Sequence, residues 1–320
     1  MAIDFAVQED PGGMPRTVAI LLGCVVTGGL LLVASALGPA SALMSILMAF
    51  PLAYVGMRYG VMSAAIGVLL TAVLQFSVAG SSSSGFYLVQ FSMPSVVLPW
   101  LLKRGIGWWY SALLCTVLTA VLAAGLLVWY AGEQQTTATL LVNQYIDHEV
   151  AAARSVYQQA ELPKDQLDSL YLVLDSTADF FRRAFWGLAI TAFMVLSLIT
   201  VGLLKVAPER SYTVPGGLFQ HFKLSEYLVW ALIAAGFSLL IDQPLIQQVA
   251  LNCLTVLLPL YFLQGVAIVT FFFKKKAFST VSRVFAYLLI FVINPLPLLV
   301  TAMGVFDMWF DFRKPRVKTT

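Results

Sequence analysis

Two carboxylates four residues apart, Asp307 and Asp311, stand near the end of this 320-residue chain in the stretch VFDMWFDFRK. Arg313 and Lys314 follow directly. If a helix continues through the stretch, both acids share one face, where they could act on a lipid-linked substrate at the membrane surface. No nucleophile or base accompanies them, and their neighbours favour another use. Trp309 and Phe310 are rings of the kind enriched at headgroup level, and the two bases can pair with the acids or with lipid phosphate. The set Asp307, Trp309, Phe310, Asp311, Arg313 and Lys314 therefore reads as an interfacial anchor in preference to a catalytic pair.

A second group of polar side chains lies within apolar sequence. FYLVQFSMPSVVLPW contains Gln90, Ser92, Ser95 and Trp100, with Gln75 further upstream. Pro94 and Pro99 are placed to interrupt a helix, because proline removes a donor and frees a carbonyl. A broken membrane helix lined by amides, hydroxyls and an indole suits a small, largely neutral ligand. Gln75, Gln90, Ser92, Ser95 and Trp100 are thus the candidate ligand-binding residues. Packing of each amide against a neighbouring helix is the alternative, and it applies equally to Asn252 and Gln264.

The remaining chemistry-bearing residues are sparse. Cys24, Cys115 and Cys253 all fall in apolar stretches and behave as small core residues. His148 and His221 lie in different polar segments, so they suggest no metal site. No cofactor is implied, and no catalytic residue is assigned.

Elements able to hold such residues must be membrane helices. Hydrophobic residues make up 60% of the chain and charged ones 11%, with a mean hydropathy of +0.86. A soluble domain carries about 25% charged residues, so this chain cannot cover a water-facing surface. Its apolar stretches approach the roughly 20 residues that cross a bilayer as helix, and backbone groups in lipid must be satisfied within the segment. The sequence predicts an all-α polytopic bundle of about eight full spans. They fall near 17–37, 41–57, 60–79, 86–102, 106–130, 184–206, 225–241 and 247–273, with a final stretch, 284–306, broken at 294–297 by NPLP. This divides the chain into a tail (1–16), a five-span bundle (17–131), a polar segment (132–183), the C-terminal spans (184–306) and an interfacial basic tail (307–320). ASA at 34–36 resembles a signal-peptidase site, but the long acidic segment before it argues for an uncleaved first helix.

Charge supplies the topology. Arg16, Arg58, Lys103 and Arg104, Lys205, Arg210 and Lys223, then Lys274 to Lys276 and Arg283 all fall on one side of an alternating count. The positive-inside rule makes that side cytoplasmic in a bacterial inner membrane and puts 132–183 outside. The basic excess is therefore a topology signal and implies no nucleic-acid partner. Residues 132–183 hold eight of the 16 acids, from Glu133 to Asp179. Within them Leu167, Leu170, Tyr171, Leu174, Ala178 and Phe181 recur at helical spacing, and Pro163 suits a helix start. A helical hairpin outside the membrane follows, acting as a packed cap or as a lid. At the other end, a single span through 284–306 would put the basic tail outside, whereas two half-helices would return it to the cytoplasm.

Two stretches resemble known families. FPLAYVGMRYGVMSAAIGVLLTAV (50–73) resembles the Pro and Gly spacing of substrate-binding S components of energy-coupling-factor transporters. NPLPLLVTAMGVFDMWFDFRK resembles the C-terminus of the YybS-like family of predicted membrane proteins, a domain of unknown function. The YybS-like resemblance covers nearly the whole chain, and such proteins are grouped as distant relatives of the S components. It implies a membrane protein with an S-component-like cavity in its N-terminal spans. The function read from this is binding or uptake of a small, largely neutral molecule by a protein that is not an enzyme. A non-transporting envelope scaffold, acting through the outer hairpin, is the alternative. Besides the bilayer, the partners are then a small-molecule ligand or another membrane protein.

Overall fold

The computed structural model describes residues 14–36, 44–159, 163–207 and 211–314. The expected polar tail before residue 14, the GPAS turn after the first span, and the end of the basic tail lie outside these. Among the described residues there are helices and turns and no strand. In chain order the helices are α1 (Arg16–Ala36), α2 (Phe50–Tyr59), α3 (Val61–Gly80), α4 (Ser83–Lys103), α5 (Trp108–Glu133) and α6 (Ala138–Gln159). They continue as α7 (Lys164–Val206), α8 (Tyr227–Ser238), α9 (Pro244–Lys275), α10 (Thr280–Val292) and α11 (Leu296–Phe310).

Six of these, α1, α3, α4, α5, α7 and α9, are long and apolar enough to cross a membrane; α10 and α11 make a seventh if the bent pair counts as one span. The expectation of eight full spans differs at two places. Segment 41–57 yields the 10-residue α2, and segment 225–241 yields the 12-residue α8. At 1.5 Å per residue even α8 covers about 18 Å, short of a hydrocarbon core of about 30 Å. Hydropathy identified both as apolar, but composition does not set helix length: α2 is largely buried, whereas α8 exposes Tyr227, Trp230 and Phe237.

Local backbone choices follow from Gly and Pro. Gly60 (φ 97°) separates α2 from α3, and Gly80 (φ 83°) turns α3 into α4; both are conformations that a Cβ disfavours. Ser84 Oγ donates to Ala72 O at 2.9 Å, closing the α3–α4 hairpin. Pro94 and Pro99 do not break α4 as expected. Met93–Val97 forms a π-turn in which Leu98 N donates to Met93 O, so the wider turn absorbs the missing donor and the helix runs on. The NPLP stretch does break its span: α10 and α11 meet at 101°. Asn294–Pro295 is cis.

The chain forms two compact units. Unit 1 comprises residues up to Tyr130 together with Ala192–Gly216. Its interior is built from Ile20, Cys24, Leu52, Val55, Tyr87, Phe91 and Leu196. Side chains tie its helices: Arg16 Nε donates to Ser63 Oγ (2.8 Å), Cys24 Sγ to Gly67 O (3.3 Å) and Ser95 Oγ to Ala49 O (3.2 Å). Pro215 docks on the start of α5, where Trp108 N donates to Pro215 O at 2.9 Å. Around this interior the helices turn Val25, Leu69, Val73 and Val121 outward, as a lipid-facing surface requires.

Unit 2 comprises Ala131–Thr191 and Gly217–Thr320. In it α6 and the first part of α7 are tied by ion pairs: Arg154 to Asp175 at 2.6 Å and Arg182 to Asp147 at 2.5 Å. Partners step up one helix as they step down the other, the pattern of an antiparallel pair, and Arg154 also lies 5.1 Å from the Tyr171 ring centre. The stripe of Leu167, Leu170, Tyr171 and Leu174 is half-buried and Ala178 fully buried, while Phe181 is exposed. The second hairpin helix and the expected sixth span are one continuous helix, α7.

The closest approaches in unit 2 occur at glycines. A Cβ on Gly187 would lie 2.0 Å from Thr255 Oγ1, one on Gly265 2.0 Å from Val300 O, and one on Gly304 2.0 Å from Tyr261 O. Helices α9 and α11 therefore cross backbone against backbone. Gly265→Ala is expected to cost about 1–3 kcal/mol through overpacking, measured as earlier thermal unfolding in detergent. Gly236→Ala, with nothing within 4 Å of the added carbon, is the control and should leave the midpoint unchanged or slightly raised.

Candidate functional site

Asp307 is fully buried, the one charged side chain in that state among the described residues. Helix α11 carries it against α9, where Gln264 is also buried. Gln264 Nε2 donates to Gly304 O (3.0 Å) and Asp307 Oδ2 (3.2 Å), while its Oε1 accepts from Leu224 N (2.8 Å). Beyond α11 the chain folds back. Asp311 takes a left-handed conformation (φ 38°) and its N–H donates to Asp307 O. That turn returns Arg313 to Asp307 at 2.5 Å and lets Phe312 N donate to Asp307 Oδ1 at 3.1 Å. Arg313 Nη1 donates further to Phe222 O (2.8 Å) and Gln220 O (3.2 Å).

This network corrects the anchor reading for two residues. Asp307 and Arg313 face the protein interior and each other, because a buried carboxylate needs a paired, hydrogen-bonded cation. Trp309, Phe310 and Asp311 remain outside it. Trp309 and Phe310 are exposed, and Asp311 pairs with Lys314 at 3.0 Å. The Lys314 hydrogen bond holds the Asp311 carboxyl below its ordinary range. With Asp307 fully engaged and Asp311 past the end of the helix, the two acids do not share a helical face, and the network serves to lock segment 220–224 and residues 311–313 onto α9 and α11.

The candidate ligand residues do not converge. Ser95 is fully buried and spent on Ala49 O, and Ser92 bonds Leu88 O within its own helix. Gln75 is half-buried; Gln90 is half-buried too, with an Oε1 that has no partner. Trp100 is partly exposed, with the Arg104 guanidinium 3.9 Å above its ring. None of the five lines the cavities described next.

In unit 1 a cavity of about 720 Å³ lies among α1, α2 and the end of α7. Its walls are apolar, with Leu22, Val26, Leu47 and Phe50 among them, and Tyr54, Arg58 and Tyr59 supply polar groups. Arg58 Nη1 donates to Tyr54 Oη (3.2 Å), and the guanidinium sits 5.3 Å from the Tyr59 ring centre. A smaller cavity of about 360 Å³ is lined by Arg58 again, with Lys103, Ser211, Tyr212 and Thr213. The ring of Tyr212 meets that of Tyr54 edge-on, centres 6.2 Å apart. Sequence reading assigned Arg58 and Lys103 to topology alone. The available signal was the i, i+4 spacing of Tyr54 and Arg58 in FPLAYVGMRYG, which puts phenol and guanidinium on one face.

Unit 2 holds a third cavity, about 680 Å³, beside Trp186, Gln248, Asn252 and Cys253. The Asn252 amide is spent within the fold: Oδ1 accepts from Gly187 N (2.6 Å), and Nδ2 donates to Arg183 O and Gln248 O.

Asp307→Asn would strand the Arg313 charge. Breaking a buried pair of this kind costs about 3–5 kcal/mol, to be measured by unfolding in detergent. Asp307→Asn with Arg313→Gln should be less destabilised than the sum of the two single changes.

Searches of curated proteins and of solved structures give no match to the chain. A family model described as predicted membrane protein (DUF2232) matches residues 25–308. From the first transmembrane helix to just past the buried Asp307, the chain is that of a multi-helix membrane protein, and it belongs to this family of predicted membrane proteins.

Proposed function

We propose that this protein binds or takes up a small, mostly apolar molecule within the membrane and catalyses no reaction of its own. The supporting observation is the 720 Å³ cavity of unit 1, within the roughly 300–1,000 Å³ typical of small-molecule sites. Its walls are almost wholly apolar, with Tyr54, Arg58 and Tyr59 able to orient a ligand. That site replaces Gln75, Gln90, Ser92, Ser95 and Trp100 as the place to look. Mass spectrometry of extracts from protein purified in mild detergent should recover a bound apolar molecule. Val26→Trp or Leu47→Trp, which fill the cavity, should reduce its recovery about tenfold while the protein stays folded. Equal recovery from both variants would remove the cavity from consideration.

A second reading, a scaffold acting through the hairpin of α6 and α7, is favoured by Tyr145, Val156, Leu172 and Val173, all exposed on that ion-paired element. Its test is loss of a stable membrane-protein partner when 135–180 is removed.

The proposed setting is a bacterial inner membrane with the N-terminus cytoplasmic and 132–183 outside, supported by the alternation of basic loops. Cys24 and Cys115 are buried and Cys253 is exposed, so Asp168→Cys in a Cys253→Ala background gives a clean probe. A membrane-impermeant maleimide should label it in intact cells. Labelling only after lysis would reverse the orientation.

A further inference from the structure

The hairpin of α6 and the first part of α7 has two unlike faces. Its ion pairs, Arg154 with Asp175 and Arg182 with both Asp147 and Asp179, lie along one of them. A step of two residues turns a side chain about 200° around a helix. Tyr145 stands two before Asp147, Val156 two after Arg154, Val173 two before Asp175 and Phe180 two before Arg182. All four therefore fall on the face opposite the ion pairs, and all are exposed, Val156 and Val173 at 62% each. Tyr145, Glu149, Ala152 and Val156 on α6, and Val173, Thr177 and Phe180 on α7, recur at alternating steps of four and three. That spacing is the seam of helices that pack lengthwise on other helices. Lipid reaches only the end of this face nearest the bilayer. The uncharged run of α7 begins at Ala184, so Val173 lies about 16 Å along the helix from the hydrocarbon. The interfacial layer is only roughly 5–8 Å deep.

We propose that this face is where two copies of the protein meet, their hairpins forming a four-helix bundle beyond the bilayer. Two copies in one bilayer can be related by a two-fold axis along its normal, and such a contact uses the same patch on both. That axis sets α6 of one copy against α7 of the other. The ion pairs fix the register: Val156 is level with Val173, and Tyr145 is within a turn of Phe180. Valine then meets valine across the contact, and ring meets ring. Glu149, the acid on the seam, comes beside the Thr177 hydroxyl of the second copy and not beside its own counterpart. The ion-paired faces point away from each other. Two helices, each about 33 Å long and roughly 10 Å wide, bury about 1,300 Å² over the pair, within the roughly 1,200–2,000 Å² of specific interfaces. The proposal rests on the scaffold reading above and names its partner; the cavity of unit 1 plays no part in it.

Crosslinking of the full chain in membranes, before any detergent is added, tests the contact. Cys24 and Cys115 are buried, so the background is Cys253→Ala. One tagged chain carries Val156→Cys, and a second, co-expressed with it, carries Val173→Cys. Oxidation with copper–phenanthroline is expected to join the two chains at least about tenfold more than when Asp168→Cys replaces Val173→Cys. Asp168 lies seven residues before Asp175, hence on the ion-paired face. Ala152→Glu with Thr177→Glu, exposed positions in the middle of the seam, should reduce the crosslink about tenfold. Leu172→Lys, on the ion-paired side, should leave it unchanged. A crosslink no stronger than that of Asp168→Cys, or one insensitive to the paired glutamates, would overturn the contact. Quenching of a fluorophore on Val173→Cys by brominated lipid tails would assign the face to the bilayer and overturn it too. Loss of a different membrane protein on the paired glutamate change, without any crosslink between copies, would overturn the second copy as partner and leave the scaffold reading standing. Removal of 135–180 with no loss of any partner would overturn the scaffold reading itself.

Discussion

Inside hydrocarbon, a polar group that lacks a partner in the protein has none at all, and this constraint orders the whole molecule. Backbone groups answer it by forming helices over most of the described residues. Hydroxyls answer it by bonding carbonyls one turn back, as Thr71, Thr116, Thr119 and Thr200 do, or on a neighbouring helix, as Ser84 and Ser95 do. The strictest case is Asp307, whose two oxygens are covered by Gln264, Phe312 and Arg313. A buried pair of this kind contributes little net stability over an apolar replacement, but the partners must come from specific places. Meeting that requirement fixes the turn at 311–313 that brings Arg313 back to Asp307.

The same constraint explains the division of labour between polar residues. Amides and carboxylates deep in the protein are consumed by structure: Gln264 and Asn252 each bridge segments distant in sequence. Other polar side chains line the cavities that separate helices, and in unit 1 these include a guanidinium, phenols and an ammonium. Residue type alone therefore misleads in a membrane interior. Gln75 and Ser92 looked like ligand contacts because they are polar in apolar sequence, whereas Arg58 looked like a topology marker because it ends an apolar run.

Helical class, the hairpin turn at 80–85, the break near Pro295 and membership in a membrane-protein family were all legible in the residues. Span count was less so. Segments 41–57 and 225–241 have the composition of spans, yet their helices are too short, since turns at 46–49 and 239–240 and the non-helical stretch up to 226 take up neighbouring residues. The effect of Pro94 and Pro99 was also hidden, because a π-turn accommodates proline without breaking the helix and leaves no trace in composition. Asp307 was legible as unusual and illegible as buried. Its partner Arg313 lies six residues on, a spacing that no regular helix brings together, and the left-handed Asp311 that makes the meeting possible has no sequence cue beyond its type. The pairing of the two cavities through Arg58 depends on tertiary packing of segments far apart in the chain.

The crossing of α9 and α11 at Gly265 and Gly304 bears on how this family can vary. Any base change in a glycine codon that still specifies a different amino acid adds at least a methyl group, so neither position has a mild neighbour in sequence space. A Cβ at either site meets a carbonyl oxygen of the opposing helix, and no rotamer can relieve a clash with backbone. Relatives that keep this crossing should therefore keep both glycines, and one that has lost either should have its two helices further apart, with larger side chains between them and a different geometry around the carboxylate one turn beyond.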